Sequence, residues 1–214
     1  RRTGHPFGSM VSVACEPDGT PILLMSTLAA HSRNLAEDPR ASLLYEDRTV
    51  PDPQQGGRVT VVGRIERIGE PAEAARRYLA RLPEASLYAG FGDFAFFRLV
   101  VEEAHLVAGF GRAMRVRRED LLLDLAGCEA LISSEAAVVA AIEAEAGRAS
   151  RLAARLGAPA GDWHVVGLDP EGLDLATDDG PFRAFRRLVS GEIARTGADF
   201  EAALRRWEES GILQ

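Results

Sequence analysis

The side chains with the most chemical reach in this sequence are four histidines, two cysteines and a run of arginines. His5, His105 and His164 each carry an imidazole, which in its neutral form is the usual axial donor to haem iron. A lone histidine is more often a surface or hydrogen-bonded group, and each of these three reads as one. Cys15 and Cys128 lie far apart and in no Cys-x-x-Cys pattern, which argues against a disulfide framework and against a structural zinc site. Arg112, Arg115, Arg117 and Arg118 form the most basic stretch. It reads either as an anion-binding feature or as a solvated surface balanced by Glu119 and Asp120. Gly109-Phe110-Gly111 lacks the third glycine and the following βαβ unit of a dinucleotide fingerprint, and reads as a tight turn. Acidic residues are numerous, but no pair stands out as an acid/base dyad. The fourth histidine, His31, lies in a hydroxyl-rich stretch, Ser26 to Ser32.

The elements that must position these residues are strands in the first half. Val11, Val13 and Cys15 alternate with Met10, Ser12 and Ala14, the period-two pattern of a strand. Pro17-Asp18-Gly19 is a turn before the apolar run Ile22-Leu23-Leu24-Met25, which predicts a β-hairpin with Gly19 at positive φ. Asn34 to Asp38 reads as the end of a short helix stopped by Pro39, and Ala41 to Tyr45 as a third strand. Residues 50–57 are rich in Pro, Gly and Gln and read as a loop. Val59, Val61 and Ile65 alternate with Arg58, Thr60 and Arg64 along a long strand. Pro71 to Leu82 has helical spacing with Pro71 at its N-terminus, and Arg76, Arg77 and Arg81 read as its solvated face. Phe96 to Val107 is the last long strand. About five hairpin-linked strands with two short helices suggest a closed barrel rather than a sandwich.

The pattern changes at about Ala126–Leu131, which divides the chain into residues 1–126 and 127–214. From Glu135 to Leu156, Val138, Ile142, Ala146, Ala149, Leu152 and Leu156 recur at helical spacing and predict one long helix. Gly157 suits the left-handed position just past a helix end, and Pro159 cannot continue the helix. Trp163 to Leu168 and Leu173 to Ala176 read as short strands around the turn Asp169-Pro170-Glu171-Gly172. Phe200, Leu204 and Trp207 mark one face of a closing helix.

Composition bounds the function. The 214 residues, 46% hydrophobic and 27% charged, suffice for an ordinary domain plus a small one. The net charge of -7 argues against phosphate-driven nucleic-acid binding, which needs a basic face. No apolar run reaches the ~18 residues of a membrane helix, and no signal peptide is visible. Free thiols fit a reducing cytoplasm.

Several motifs, taken together and in order, resemble the pyridoxamine 5′-phosphate oxidase-like superfamily, and within it the haem-utilisation branch. They are Gly4-His5-Pro6-Phe7-Gly8-Ser9, the Asp18-Gly19 turn, Ser26-Thr27-Leu28-Ala29-Ala30-His31-Ser32-Arg33-Asn34-Leu35, Asp38-Pro39-Arg40-Ala41-Ser42-Leu43-Leu44, Arg58-Val59-Thr60-Val61-Val62-Gly63-Arg64, Tyr88-Ala89-Gly90-Phe91-Gly92-Asp93-Phe94 and Gly109-Phe110-Gly111-Arg112-Ala113. The resemblance implies an α+β chain, an antiparallel FMN-binding split β-barrel followed by a small C-terminal α/β domain. It also implies a homodimer with the flavin ring at a two-fold interface.

By position, the resemblance places Ser26, Thr27, His31, Ser32 and Arg33 around the FMN phosphate, where hydroxyls, helix N–H groups and a cation suit a dianion. It puts Arg58 and Thr60 near the isoalloxazine ring, Ser9 on a strand lining the same site, and Arg112 near cofactor or substrate. Relatives that hold FMN tightly often carry Arg and Lys where this chain has His31 and Ser32, a pair with less positive charge. The C-terminal part, Gly161 to Leu175, resembles the hairpin of the small domain of this branch. The Asn-x-Asp-His cluster usual on its preceding helix is replaced here by Ile142 to Ala149. In haem-degrading relatives the iron ligand is a C-terminal histidine, and the tail from Phe200 to Gln214 has none. Three readings result: an FMN-dependent oxidoreductase of unknown substrate, a haem-binding or haem-degrading protein, and a barrel scaffold without cofactor.

Overall fold

The computed structural model describes residues 5–47, 50, 52, 55–109, 112–180 and 183–210. The chain divides into two compact units, Arg1–Asp124 and Leu125–Gln214.

In the first unit, β1 (Val13–Cys15) and β2 (Pro21–Ser26) form the expected hairpin. Gly19 sits at φ 92°, and the Asp18 carboxylate accepts the Thr20 amide at 2.8 Å and the Thr20 hydroxyl at 2.9 Å. Then follow α1 (Ala30–Glu37), β3 (Arg40–Glu46), β4 (Gly57–Arg67), α2 (Ala72–Arg81), a 3-10 turn (Pro83–Leu87), β5 (Phe94–Ala108), β6 (Ala113–Arg117) and the single-turn α3 (Arg118–Leu121). All strand pairs are antiparallel, in the order β1-β2-β5-β4-β3, with β6 also on β5. The fifteen-residue β5 is the spine: β2 pairs with Phe94–Arg98, β6 with Glu103–Val107 and β4 with Phe97–Ala108. Strand β6 was not expected from the sequence, because its arginines mask the alternation.

The ladder does not close on itself among the described residues; it runs open from β1 to β3. Closure comes from side chains. Val11 and Val13 at one end of the ladder, and Ala41, Leu43 and Tyr45 at the other, pack against one core of Leu23, Met25, Val61, Ile65, Leu99, Val101 and Ala104. The antiparallel split-barrel architecture expected from the sequence is therefore present, with a seam in place of a continuous ladder.

Helix α2 covers the free edge of β1. The Arg77 Nε donates to the Cys15 carbonyl at 2.9 Å, and the Tyr78 hydroxyl donates to the Ser12 carbonyl at 3.3 Å. Arg77 is therefore not on a solvated face; it is 7% exposed and donates to an edge carbonyl of β1. Burial pushes the Tyr78 hydroxyl up to about 12. Across the barrel, the β4–β5 register shifts between Val62 and Gly63, leaving Glu102 as the extra residue of a bulge. A Cβ on Gly63 would lie 2.1 Å from the Val100 carbonyl oxygen, so only glycine fits there.

The second unit is a β7-β8-β9 meander (His164–Asp169, Gly172–Thr177, Ala184–Val189) with helices α4 (Glu129–Ala144), α5 (Arg148–Arg155) and α6 (Gly197–Ser210). Leu131, Ile142, Leu152, Trp163, Leu173, Phe200 and Leu204 form its core. The one long helix expected from 135 to 156 is two. The chain breaks at Glu145 and Gly147, the latter at φ 69°, and Ala146 is exposed in the break. The bend turns Arg148 inward, where its Nε donates to Glu208 at 2.9 Å and its Nη2 to Glu201 at 3.0 Å on α6. Gly157 takes φ 69° just past α5, as its position predicts. Strand β9, with its adjacent Arg186 and Arg187, was also not expected. No helix among the described residues is long and apolar enough to cross a membrane.

Candidate functional site

The structure sorts the expected site residues into two groups. The first gathers at the end of β2. Ser26 is the last residue of β2, opposite Phe94 on β5. Its hydroxyl donates to Asp93 Oδ2 at 2.5 Å and accepts the Leu28 amide at 3.1 Å. The Thr27 amide donates to the Asp93 carbonyl at 2.7 Å, so main chain and side chain of Asp93 both fix the turn into α1. Asp93 is delivered by the segment Tyr88–Phe94, whose rings pack together: Tyr88 lies 5.0 Å and Phe91 6.3 Å from Phe94.

Helix α1 begins after Ala29 with no side-chain cap and no acidic residue in its first turn, so its N-terminal dipole end is not neutralised locally. His31 and Ser32 lie in that turn. The Ser9 hydroxyl is 2.9 Å from His31 Nδ1. In the tautomer whose Nδ1 accepts that hydroxyl, Nε2 is a donor. His31 Nε2 and Ser32 Oγ are both buried with no hydrogen-bond partner. Two orphaned donors at an uncapped helix start are what an anionic end group would satisfy. Arg33 is exposed and its Nη1 donates to the Leu28 carbonyl. Ser9 belongs to this group but not to a strand. Hydrogen-bonded pairing of β1 begins only at Val13, opposite Leu23, and Met10 is 98% exposed, so of the alternating residues 10–15 only 13–15 are paired as a strand.

The second group lies at the far end of β5. Arg58 and Thr60 alternate with the inward Val59 and Val61 on β4, so they sit on the outer face of the sheet. Arg58 stands between Glu46 and Val107, and Thr60 between Leu44 and His105. Arg112 follows Gly109, which has φ 84°, in the turn from β5 to β6; its carbonyl accepts the Ala108 amide at 2.9 Å. Phe110 and Gly111 lie outside the described residues. Ser26 faces Phe94 and Arg58 faces Val107, which puts the two groups about 40 Å apart along the strand path of β5.

The remaining histidines are engaged. His105 Nε2 is 3.1 Å from Glu103 Oε1, and Arg115 also pairs with Glu103. His164 Nε2 accepts from Arg183 Nη2 at 2.9 Å. His5 is exposed. Arg117 pairs with Glu119 at 3.0 Å and Asp120 at 2.8 Å, so this part of the basic run is a balanced surface. Among the described residues no three His, Cys, Asp or Glu side chains group as a metal site. Asp93 was missed by the reading of the sequence, although it stands in the quoted Tyr88–Phe94 motif.

Comparison with known proteins agrees with this architecture. The family described as "CREG, beta-barrel" matches residues 1–122, more than half of the chain. A non-canonical haem oxygenase of Arabidopsis thaliana chloroplasts is 41% identical over 116 residues, 51% of this chain and 34% of that protein. The chain thus spans about a third of the length of this curated relative. A protein of unknown function from Agrobacterium tumefaciens is similar over 95% of this chain and 84% of its own, at 33% identity and a TM-score of 0.84. A haem-binding protein from Mycobacterium smegmatis is similar over 98% of this chain and 88% of its own, at 28% identity and a TM-score of 0.53.

Proposed function

Because the chain belongs to the CREG β-barrel family of split barrels, with relatives in the haem-utilisation branch, we propose that its barrel binds a flat cofactor with an anionic tail, FMN, and acts as an oxidoreductase on a small molecule. The observation that carries this reading is the pair of orphaned buried donors, His31 Nε2 and Ser32 Oγ, at the uncapped start of α1. They fit the phosphate. An acceptor there would recover the cost of two unsatisfied groups, about 1–3 kcal/mol each. Bound FMN would supply hydride or electron transfer. This chain's residues would hold and orient it: His31, Ser32 and the α1 amides at the phosphate, and Arg58 and Thr60 at the ring.

Those two groups sit at opposite ends of β5 in one chain, which supports a homodimer whose sites are each completed by the partner. A cytoplasmic location is part of the same proposal; neither Cys15 nor Cys128 is in a disulfide. Absorbance of the purified protein before and after FMN tests the reading. A flavin band retained through gel filtration supports it, and no uptake of added FMN refutes it.

Haem binding is the second reading, favoured by the 41% identity to a haem oxygenase over 116 residues. The same donors at α1 would take a propionate. His105 and His164 have Nε2 engaged, which leaves Nδ1 as the nitrogen either could offer to iron. A Soret band on haem titration with no flavin uptake would decide for haem over FMN.

A further inference from the structure

Ser26 is the hydroxyl expected at the phosphate, yet its one proton is already given to the Asp93 carboxylate at 2.5 Å. One of its two lone pairs is also used, accepting the Leu28 amide at 3.1 Å. A hydroxyl has a single proton to donate. A phosphate oxygen placed to take it would stand within about 5 Å of a carboxylate in a half-buried setting, where like charges repel strongly. We propose that Asp93 is the specificity-determining residue of the α1 site: it withholds Ser26 from the ligand and narrows, without reversing, the preference of the site for a dianionic end group.

The inference rests on the cofactor reading above and deepens it. His31 and Ser32 remain as the only orphaned side-chain donors of α1 among the described residues. The site therefore holds a phosphate by fewer donors than its hydroxyl count suggests, and accepts singly charged or neutral end groups at less cost. The placement of Asp93 is built rather than incidental. Its carbonyl holds the Thr27 amide at 2.7 Å, and Tyr88, Phe91 and Phe94 pack around its segment.

Flavin fluorescence titrations of the full chain test this, because riboflavin is FMN without its phosphate. Asp93→Asn removes the charge and Asp93→Ala also frees the Ser26 proton; having both guards against one failing to fold. The expected result, at a pH where the phosphate is a dianion, is FMN affinity raised about tenfold or more, with riboflavin affinity changed by less than about twofold. Ser26→Ala should cancel part of the gain in the Asp93→Ala background. Equal changes for both flavins, or none, would overturn the assignment while leaving FMN binding by the wild type intact. Inorganic phosphate followed by phosphorus NMR is the arm independent of flavin. Phosphate bound by Asp93→Asn but not by the wild type upholds the role of Asp93 even where the wild type takes up no FMN, and phosphate bound by neither overturns it.

Discussion

Replacing Ser32 with alanine should make the ligand-free protein more stable and the FMN complex weaker. Ser32 Oγ is buried without a partner, and an unsatisfied buried hydroxyl costs about 1–3 kcal/mol. Alanine also has the higher helix propensity, by up to about 0.7 kcal/mol, at a position inside α1. The dispersion attraction of the one oxygen removed offsets part of this, leaving a net gain of about 1–2 kcal/mol. For a chain of this length that is a rise of roughly 3–6 °C in Tm. FMN affinity should fall about tenfold, the worth of one hydrogen bond to a charged group. Thermal unfolding with and without FMN reads both effects. Ser26→Ala should do the reverse to the free protein, lowering its stability by about 1–3 kcal/mol, because that hydroxyl makes two hydrogen bonds. A Ser32→Ala protein that melts below the wild type without ligand would show that the hydroxyl has a partner, and the reasoning would fail. Greater stability with unchanged FMN affinity would remove Ser32 from the site.

Gly63→Ala should cost about 3 kcal/mol or more by urea denaturation, since the new Cβ would sit 2.1 Å from the Val100 carbonyl oxygen; an unchanged midpoint would mean the bulge is more pliant than its geometry implies. Arg148→Met should destabilise the second unit by about 2–4 kcal/mol by leaving Glu201 and Glu208 facing each other; a neutral result would mean both carboxylates turn freely to solvent. The Asp38 carboxyl, held by Arg40, should titrate at about 2 rather than 3.8 by carbon NMR, and Arg40→Ala should return it toward 3.8. Because this pKa is depressed, the contribution of the pair is present above pH 3.8 and is lost as pH falls through about 2; a midpoint that ignores Arg40→Ala would dismiss the pair.

Much of the barrel was legible because its signals are local. The Asp18-Gly19 turn, the Val59/Val61/Ile65 alternation and the Pro39 stop each have a mechanism that acts within a few residues. Strands β6 and β9 were not legible, because arginines occupy positions where alternation should show apolar residues, and their pairing is decided by β5 and β8. The break at Gly147 was hidden by Ala146, which fits the helical pattern but is exposed; the bend exists to bury Arg148 against α6, a contact made across more than fifty residues of sequence. At the candidate site, motif position located Ser26, His31 and Ser32 together near α1. It could not show that the Ser26 proton belongs to Asp93, nor that Arg58 lies at the other end of β5. The resemblance put Ser9 on a strand, whereas its contact with His31 comes from a segment outside β1.

The most direct test of the central claim mixes two defective chains. The double variant His31→Ala/Ser32→Ala lacks the phosphate group of residues, and Arg58→Ala lacks the ring group, so each alone should bind little FMN. Unfolded together and refolded at equal amounts, half the dimers should be mixed, each with one intact site, and FMN binding should return to about a quarter of the wild-type sites. No recovery on mixing, or full FMN binding by either variant alone, would contradict a site shared between α1 of one protomer and β4 of its partner.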